Sequence, residues 1–210
     1  MLHVDIKKLG RITGGGGLNQ HDRPGRSRRG GYEYVHVCVD DHSRVAYAEV
    51  LADETTASCV AFLERTVAWF AAQGVAVERV LTDNGLAYRS YAFEGLCHRL
   101  GIKHRRIRPY HPQTNGKVER FNQTLLREWS HAFAYRSSLE RHANLEPFLH
   151  FYNYHRAHTA LGEQPPISRL LNNVLTLDTE ARPPLFLVLP GGGDSAMEVT
   201  WMADVVHTTS

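Results

Sequence analysis

The chain has 210 residues, of which 42% are hydrophobic, 10% aromatic and 22% charged, with a formal net charge of +2. That is enough for one catalytic-sized domain with a short appendage, and too apolar for a disordered tail. A net charge so close to zero excludes a histone-like polycation, so any affinity for nucleic acid has to come from where the basic residues sit.

Residues 2–9 (LHVDIKKL) read as a strand. A loop from Gly10 to Gly31 follows, with four consecutive glycines (Gly14 to Gly17) and the arginines Arg11, Arg23, Arg26, Arg28 and Arg29, a flexible basic segment that builds no core. Val35, Val37 and Val39 alternate as a second strand, Asp40-Asp41-His42-Ser43 is turn chemistry, and Val45 to Leu51 returns as a hairpin partner. Thr55 or Thr56 caps a helix to about Gln73, stopped by Gly74, with Val60, Leu63, Val67 and Phe70 as its apolar stripe. Val77 to Thr82 is a short strand ending in Asp83-Asn84-Gly85; a helix near Tyr91 to Leu100 and a strand near Lys103 to Arg108 come next. The Pro-punctuated stretch Pro109 to Gly116 leads into a long helix from about Lys117 to Ala134, and another helix spans roughly Leu139 to His155. After Pro165-Pro166 the pattern fades. Three hairpin-like strands followed by alternating helices and strands predict an α/β domain with a mixed sheet.

The cysteines Cys38, Cys59 and Cys97 are odd in number and far apart, which argues against a disulfide framework or zinc finger and fits a reducing cytoplasm. No charged-then-apolar leader opens the sequence, and the apolar run Leu185 to Leu189 falls far short of the roughly 20 residues a bilayer requires. Gly14 to Gly17 lacks the Lys-Ser/Thr of a phosphate loop.

Three acids occupy positions where a structural role is awkward. Asp5 lies inside a strand, Asp83 ends one, and Glu119 starts an apolar-striped helix, with 35 residues between Asp83 and Glu119. Convergent carboxylates suit hard cations such as Mg²⁺, and two such ions roughly 4 Å apart serve phosphoryl transfer. Taken singly, each also has an ordinary reading: a surface aspartate, an Asp-Asn-Gly turn, a helix N-terminal glutamate.

The stretches LTDNG (81–85) and RPYHPQTNGKVERFNQTL (108–125) resemble the catalytic core of the retroviral-integrase superfamily, which includes bacterial insertion-sequence transposases and retroelement integrases. LHVDIKKLGRI, VDDHSRVAYAEV (39–50) and YNYHRAHTALGEQPP (152–166) look closest to the insertion-sequence branch, although many relatives have proline where Ala157 stands. The resemblance covers about residues 2–170 and matches the family's Asp-Asp-35-Glu signature. It implies an RNase H-like fold, with a five-stranded mixed sheet flanked by helices over 1–170, and leaves 171–210 an unassigned, poorly ordered tail. It also implies that Asp5, Asp83 and Glu119 hold Mg²⁺, replaceable by Mn²⁺, in two ions. DNA is the implied partner, at element ends and target, handled by a homo-oligomer without membrane attachment.

Around Glu119, Lys117, Arg120, Thr124, Arg127 and His131 recur at helical spacing, either as a solvated face or as a DNA-phosphate contact. His111, Gln113 and Asn115 form a donor-rich approach to that helix, suited to DNA or simply to setting its entry angle. Val118, Phe121, Leu125 and Trp129 are expected to pack on the sheet. Asp40 and Asp41 are expected to serve the turn. The chain opens four residues before Asp5, so no end-reading helix-turn-helix segment precedes it; this leads to the expectation of a truncated copy with weak, salt-sensitive DNA binding. The alternatives are a retroelement integrase or an inactive DNA-binding remnant that regulates transposition. A ribonuclease H is disfavoured by HPQTNG-x-x-E.

Overall fold

The computed structural model describes residues 1–12, 31–107 and 116–171. Most of the basic loop, the segment with His111, Gln113 and Asn115, and the tail beyond 171 lie outside the described residues.

Five strands form one mixed sheet in the order β3-β2-β1-β4-β5: β1 is Leu2–Gly10, β2 Tyr32–Asp40, β3 Ala46–Leu51, β4 Arg79–Thr82 and β5 Lys103–Arg106. The first three pair antiparallel, whereas β4 lies parallel to β1 and β5 parallel to β4. Gly10 pairs with Tyr32, so β1 runs one residue further than the sequence pattern indicates.

Helices cover both faces. On one side α1 (Thr56–Ala72) and α2 (Tyr91–Arg99) pack through Phe62, Leu63, Phe70, Phe93 and Leu96 against Leu2, Val4, Cys38 and Val80. All three cysteines belong to this core. On the other side α3 (Gly116–Leu125) and α5 (Leu145–Tyr154) cover Val35, Val37 and Val39. Strand alternation thus sends even-numbered β1 residues toward α1 and odd-numbered ones toward α3.

Local chemistry explains the element ends. Thr55 caps α1, accepting from the Ser58 N–H at 3.4 Å, and Gly74 closes it with φ of 75°. The buried stripe of α1 is Cys59, Phe62, Leu63, Thr66 and Phe70, rotated from the expected one because Val60 and Val67 are only partly buried. The expected helix through Ala134 is shorter. After Leu125 it widens into a π-type turn, Leu126–Ser130, where the His131 N–H reaches back to the Leu126 carbonyl at 2.9 Å. The Tyr135 hydroxyl then donates to the Trp129 carbonyl at 2.9 Å and turns the chain away. The expected helix from Leu139 to His155 is two helices, α4 (Ser138–Ala143) and α5, broken at Asn144. Pro147 is the cause: it has no N–H for the Ala143 carbonyl, and its ring would crowd that carbonyl. A short α6 (Ser168–Leu171) follows the two prolines.

Two polar contacts hold these pieces. The buried Asn153 side chain donates to the Ala46 carbonyl and accepts from the Ala46 N–H, both at 2.8 Å, supplying β3 with a substitute strand partner. Buried Arg141 of α4 donates to the Glu33 carboxylate of β2 and to the Gly10 carbonyl at 2.9 Å, while the Arg141 carbonyl accepts from the Trp129 indole at 2.9 Å. Burial alone would raise the Glu33 carboxyl, but Arg141, Ser138 and His142 outweigh it and hold it below its ordinary value of 4.5.

Arg141→Ala leaves that carboxylate buried without its main partner, and is expected to cost about 3–5 kcal/mol of stability. Because the Glu33 pKa is depressed, the pair's contribution is full above pH 4.5 and fades as pH falls through the lower folded value. Urea melts of both proteins at neutral and acidic pH check this: the difference between them should shrink on acidification.

Candidate active site

Asp5 sits in mid-β1 opposite Val37, and its odd position turns it toward α3. There the Asn122 side-chain amide donates to Asp5 Oδ2 at 2.7 Å. Asn122 is 7% exposed, and its Oδ1 has no hydrogen-bond partner among the described residues. Asp83 immediately follows β4, next to β1 in the sheet, so chain topology brings the two aspartates to one region. The Asp5 carboxyl is raised above its ordinary range, first by burial and then by the Asp83 charge, against hydrogen bonds from the Ile6 N–H and Asn122.

Asp83 is exposed and tightly set. Its Oδ1 accepts from the Gly85 N–H at 2.9 Å, and a Cβ at Gly85 would come within 3.0 Å of that oxygen. Behind it, the Thr82 hydroxyl donates to the Asp83 carbonyl at 2.9 Å and lies 2.9 Å from His104 Nε2. On the far side, the Asn84 amide donates to the Ile107 carbonyl at 2.8 Å. The Asp-Asn-Gly turn therefore fixes a carboxylate at the end of a strand.

Glu119 lies in the first turn of α3, three residues before Asn122 and hence on the same side of the helix, and is exposed. Among the described residues no group of three or more His, Cys, Asp or Glu side chains could hold a metal ion. The structure thus brings Asp5 and Asp83 into electrostatic contact and does not bring Glu119 into a three-carboxylate cluster. A third carboxylate beside that pair adds cost unless a cation offsets it. The donors present are oxygens of the hard type that Mg²⁺ or Mn²⁺ prefers, and the unpartnered Asn122 Oδ1 beside Asp5 adds to that fit.

Of the expected DNA contacts, Arg120 and Arg127 are exposed, but Arg127 is paired with Glu128 at 2.6 Å and Lys117 with Asp41. Thr124 is buried and its hydroxyl donates to the Arg120 carbonyl at 3.2 Å, so the basic face is not continuous. Asp40 serves its turn, accepting from the Ser43 N–H at 2.8 Å and the Ser43 hydroxyl at 2.9 Å. Asn122 is a site residue that motif and spacing do not single out. Its distance of three residues from Glu119 and its polarity beside the Val118, Phe121, Leu125 stripe are the only signals of it in the sequence.

A mixed sheet in this order, helices on both faces, and aspartates on β1 and just after β4 define an RNase H-like α/β domain of the integrase-core type. The chain belongs to the integrase core domain family: one family model of that description matches residues 1–112 and a second matches residues 100–166. It is 34% identical over 96 residues to the Gag-Pro-Pol polyprotein of Sheep pulmonary adenomatosis virus, covering 46% of this chain and 5% of that protein. It is 36% identical over 98 residues to the Intracisternal A-particle Pol-related polyprotein of Mouse intracisternal a-particle MIA14, covering 46% and 11%. The chain therefore spans only a small part of these polyproteins. Among solved structures, the simian T-cell lymphotropic virus intasome in complex with PP2A regulatory subunit B56 gamma aligns with a TM-score of 0.61 at 22% identity, covering 87% of this chain and 58% of that one. The catalytic core domain of BIV integrase aligns with a TM-score of 0.54 at 21% identity, covering 81% and 93%. At these identities the structural likeness speaks for the fold. No helix among the described residues is long and apolar enough to cross a membrane.

Asp5→Asn removes the charge that burial and Asp83 both oppose, so the metal-free variant is expected to melt above the parent at neutral pH. Mg²⁺ or Mn²⁺ should raise the melting temperature of the parent, by an amount corresponding to about 2.7 kcal/mol at a hundredfold excess over Kd, and leave the variant nearly unmoved. Differential scanning calorimetry with and without cation reads both effects.

Proposed function

We propose that this chain is the catalytic core of a DNA transposase or integrase, cutting DNA at element ends and joining the freed 3′-hydroxyl to target DNA. The observation that carries this is the Asp5–Asp83 pair, braced by Asn122, in an integrase-core fold. In the first step a water oxygen attacks a phosphorus and the 3′ oxygen leaves with a proton; in the second, that 3′-hydroxyl loses its proton and attacks a target phosphorus, and the target strand's own 3′ oxygen leaves and takes up a proton. No bond to the enzyme forms.

Asp5, Asp83 and Glu119 would hold the divalent ions, Mg²⁺ or in its place Mn²⁺, two in number. Cations bound there would activate the attacking oxygen and offset charge on the leaving one. The chain's own residues do the rest. Asn122 is a positioning residue that fixes the Asp5 carboxylate, and the Gly85 N–H orients that of Asp83. Glu119, in the first turn of α3 and on the same side of that helix as Asn122, would be the third carboxylate ligand. Arg120 and Arg127 would meet DNA phosphates, with His111, Gln113 and Asn115 approaching the same substrate. A self-associated form on DNA fits the likeness to an intasome.

The insertion-sequence reading rests on the motifs at 2–12, 39–50 and 152–166. The named relatives are retroviral, which favours the second reading, a retroelement integrase with the same chemistry.

A strand-transfer assay on short duplexes with Mg²⁺ or Mn²⁺ tests the proposal. Asp5→Asn, Asp83→Asn and Glu119→Gln should each abolish joining, with double substitutions no worse than single ones because the ligands act as a unit. Most of the activity surviving in any single variant removes that residue from the site.

Phosphate contact by α3 has its own signature. Arg120→Ala should lower the slope of log affinity against log salt by roughly one unit on unrelated duplexes. Lys117→Ala should lower it less, since Asp41 already shares that charge. Titrations across a salt series measure both slopes, and an unchanged slope for Arg120→Ala returns that residue to a solvated face.

A further inference from the structure

The outer edge of the sheet at β5 has a feature that the carboxylate site does not use. The strand reads Lys103-His104-Arg105-Arg106, and no strand among the described residues pairs with its outer side. His104 alone turns inward, with Nδ1 2.9 Å from Glu94 Oε2 and Nε2 2.9 Å from the Thr82 hydroxyl. Lys103, Arg105 and Arg106 are exposed, and none has a carboxylate partner among the described residues. By strand alternation Arg106 lies on the α2 face with His104, and Lys103 and Arg105 on the opposite one, so the cations straddle the edge.

The backbone adds donors. The N–H groups of Lys103 and Ile107 turn to β4, meeting the Glu78 and Thr82 carbonyls at 2.9 and 3.0 Å. Alternation then turns the N–H groups of His104 and Arg106 outward along the free edge. Four residues at about 3.3 Å each give a row roughly 10 Å long, close to the rise of about three nucleotides of duplex DNA. This row ends beside the candidate site: Arg106 is in register with Thr82, and the Asn84 amide bonds the Ile107 carbonyl.

We propose that the β5 edge is a DNA-backbone track that holds a phosphodiester chain through Lys103, Arg105, Arg106 and the outward N–H groups, and leads it to Asp83. This rests on the reading of the chain as a DNA-joining core and names a surface separate from α3. Charge selects the occupant: three cations with no carboxylate partner among the described residues, together with two N–H donors, match a row of phosphates, and backbone contacts of this type carry no sequence preference. The competing explanation is that cations at a sheet edge merely block edge-to-edge pairing.

The test compares the full chain with Lys103→Gln/Arg105→Gln/Arg106→Gln and the three single substitutions on a short labelled duplex of random sequence. All three side chains are exposed, and circular dichroism melts verify folding; if the triple variant is misfolded, the three singles carry the test. The expected result is a salt slope reduced by roughly 0.9 for each phosphate left unneutralised, equal on unrelated sequences, with joining impaired most at high salt. Unchanged slope and affinity, with new self-association of the triple variant, means edge blocking only and overturns the proposal while parental joining activity stands. Polyglutamate competing as well as DNA at equal charge points to an acidic protein partner and overturns it too. A parent chain that binds no duplex at low salt overturns this proposal and the DNA-joining reading together.

Discussion

The rotation of α3 on the sheet sets everything at the carboxylate end. Val118, Phe121, Leu125 and Trp129 are each at most 1% exposed and bury against the valines of β2, which leaves the helix no freedom to turn about its axis. With that phase fixed, Asn122 is carried to Asp5 and Glu119 stands one turn earlier on the same side. Apolar packing thus decides where a polar group arrives. The π-type turn after Leu125 is part of the same arrangement. It places Trp129 both in the core and within reach of the Arg141 carbonyl, and lets Glu128 accept from Arg156 at 2.7 Å.

Much of this is legible in the sequence, because the signals are local or periodic. The valine alternation of β2, the Thr55 and Gly74 ends of α1, and the apolar stripe of α3 each follow from short-range rules. The aspartates stand out because a charged residue within a strand or at its end conflicts with propensity. What cannot be read depends on partners distant in sequence. The phase of α1 differs from the expected one since Val60 and Val67 are as apolar as Phe62; only the sheet decides which of them is covered. Pro147 is a visible break that the periodicity of its neighbours masks. Asn122 and Asn153 look alike in the sequence, as polar residues next to aromatic ones. One braces a carboxylate and the other closes a strand edge, and nothing short of tertiary contact separates these roles.

Lys117 shows the same limit for charges. Spacing alone groups it with Arg120 and Arg127 as a basic face, yet Asp41, from the hairpin between β2 and β3, pairs with it. Asp41 also lies 3.5 Å from His3 and 3.6 Å from Arg44. This carboxylate ties the hairpin turn to the start of α3, close to the helix turn that bears Glu119.

The carboxyl groups sort themselves by what surrounds them. Burial pushes Glu33, Asp41 and Glu49 upward, yet cationic or hydrogen-bonding partners hold all three below their ordinary values, and Arg156 does the same for Glu128. Those acids are already satisfied by the protein. Asp5 goes the other way: burial raises it, Asp83 raises it further, and the one side-chain amide at hand does not compensate. A fold that neutralises these other partly buried carboxylates but leaves this pair in mutual repulsion retains an unmet demand for positive charge at one place. Perturbation of that kind, on a partly buried carboxylate next to an exposed one, marks this place as the candidate ligand-binding site. A divalent cation would meet that demand where a lysine or arginine would not. It would accept several oxygens at once, so that Asp5 and the exposed Asp83 and Glu119 could share it and present it to a phosphate.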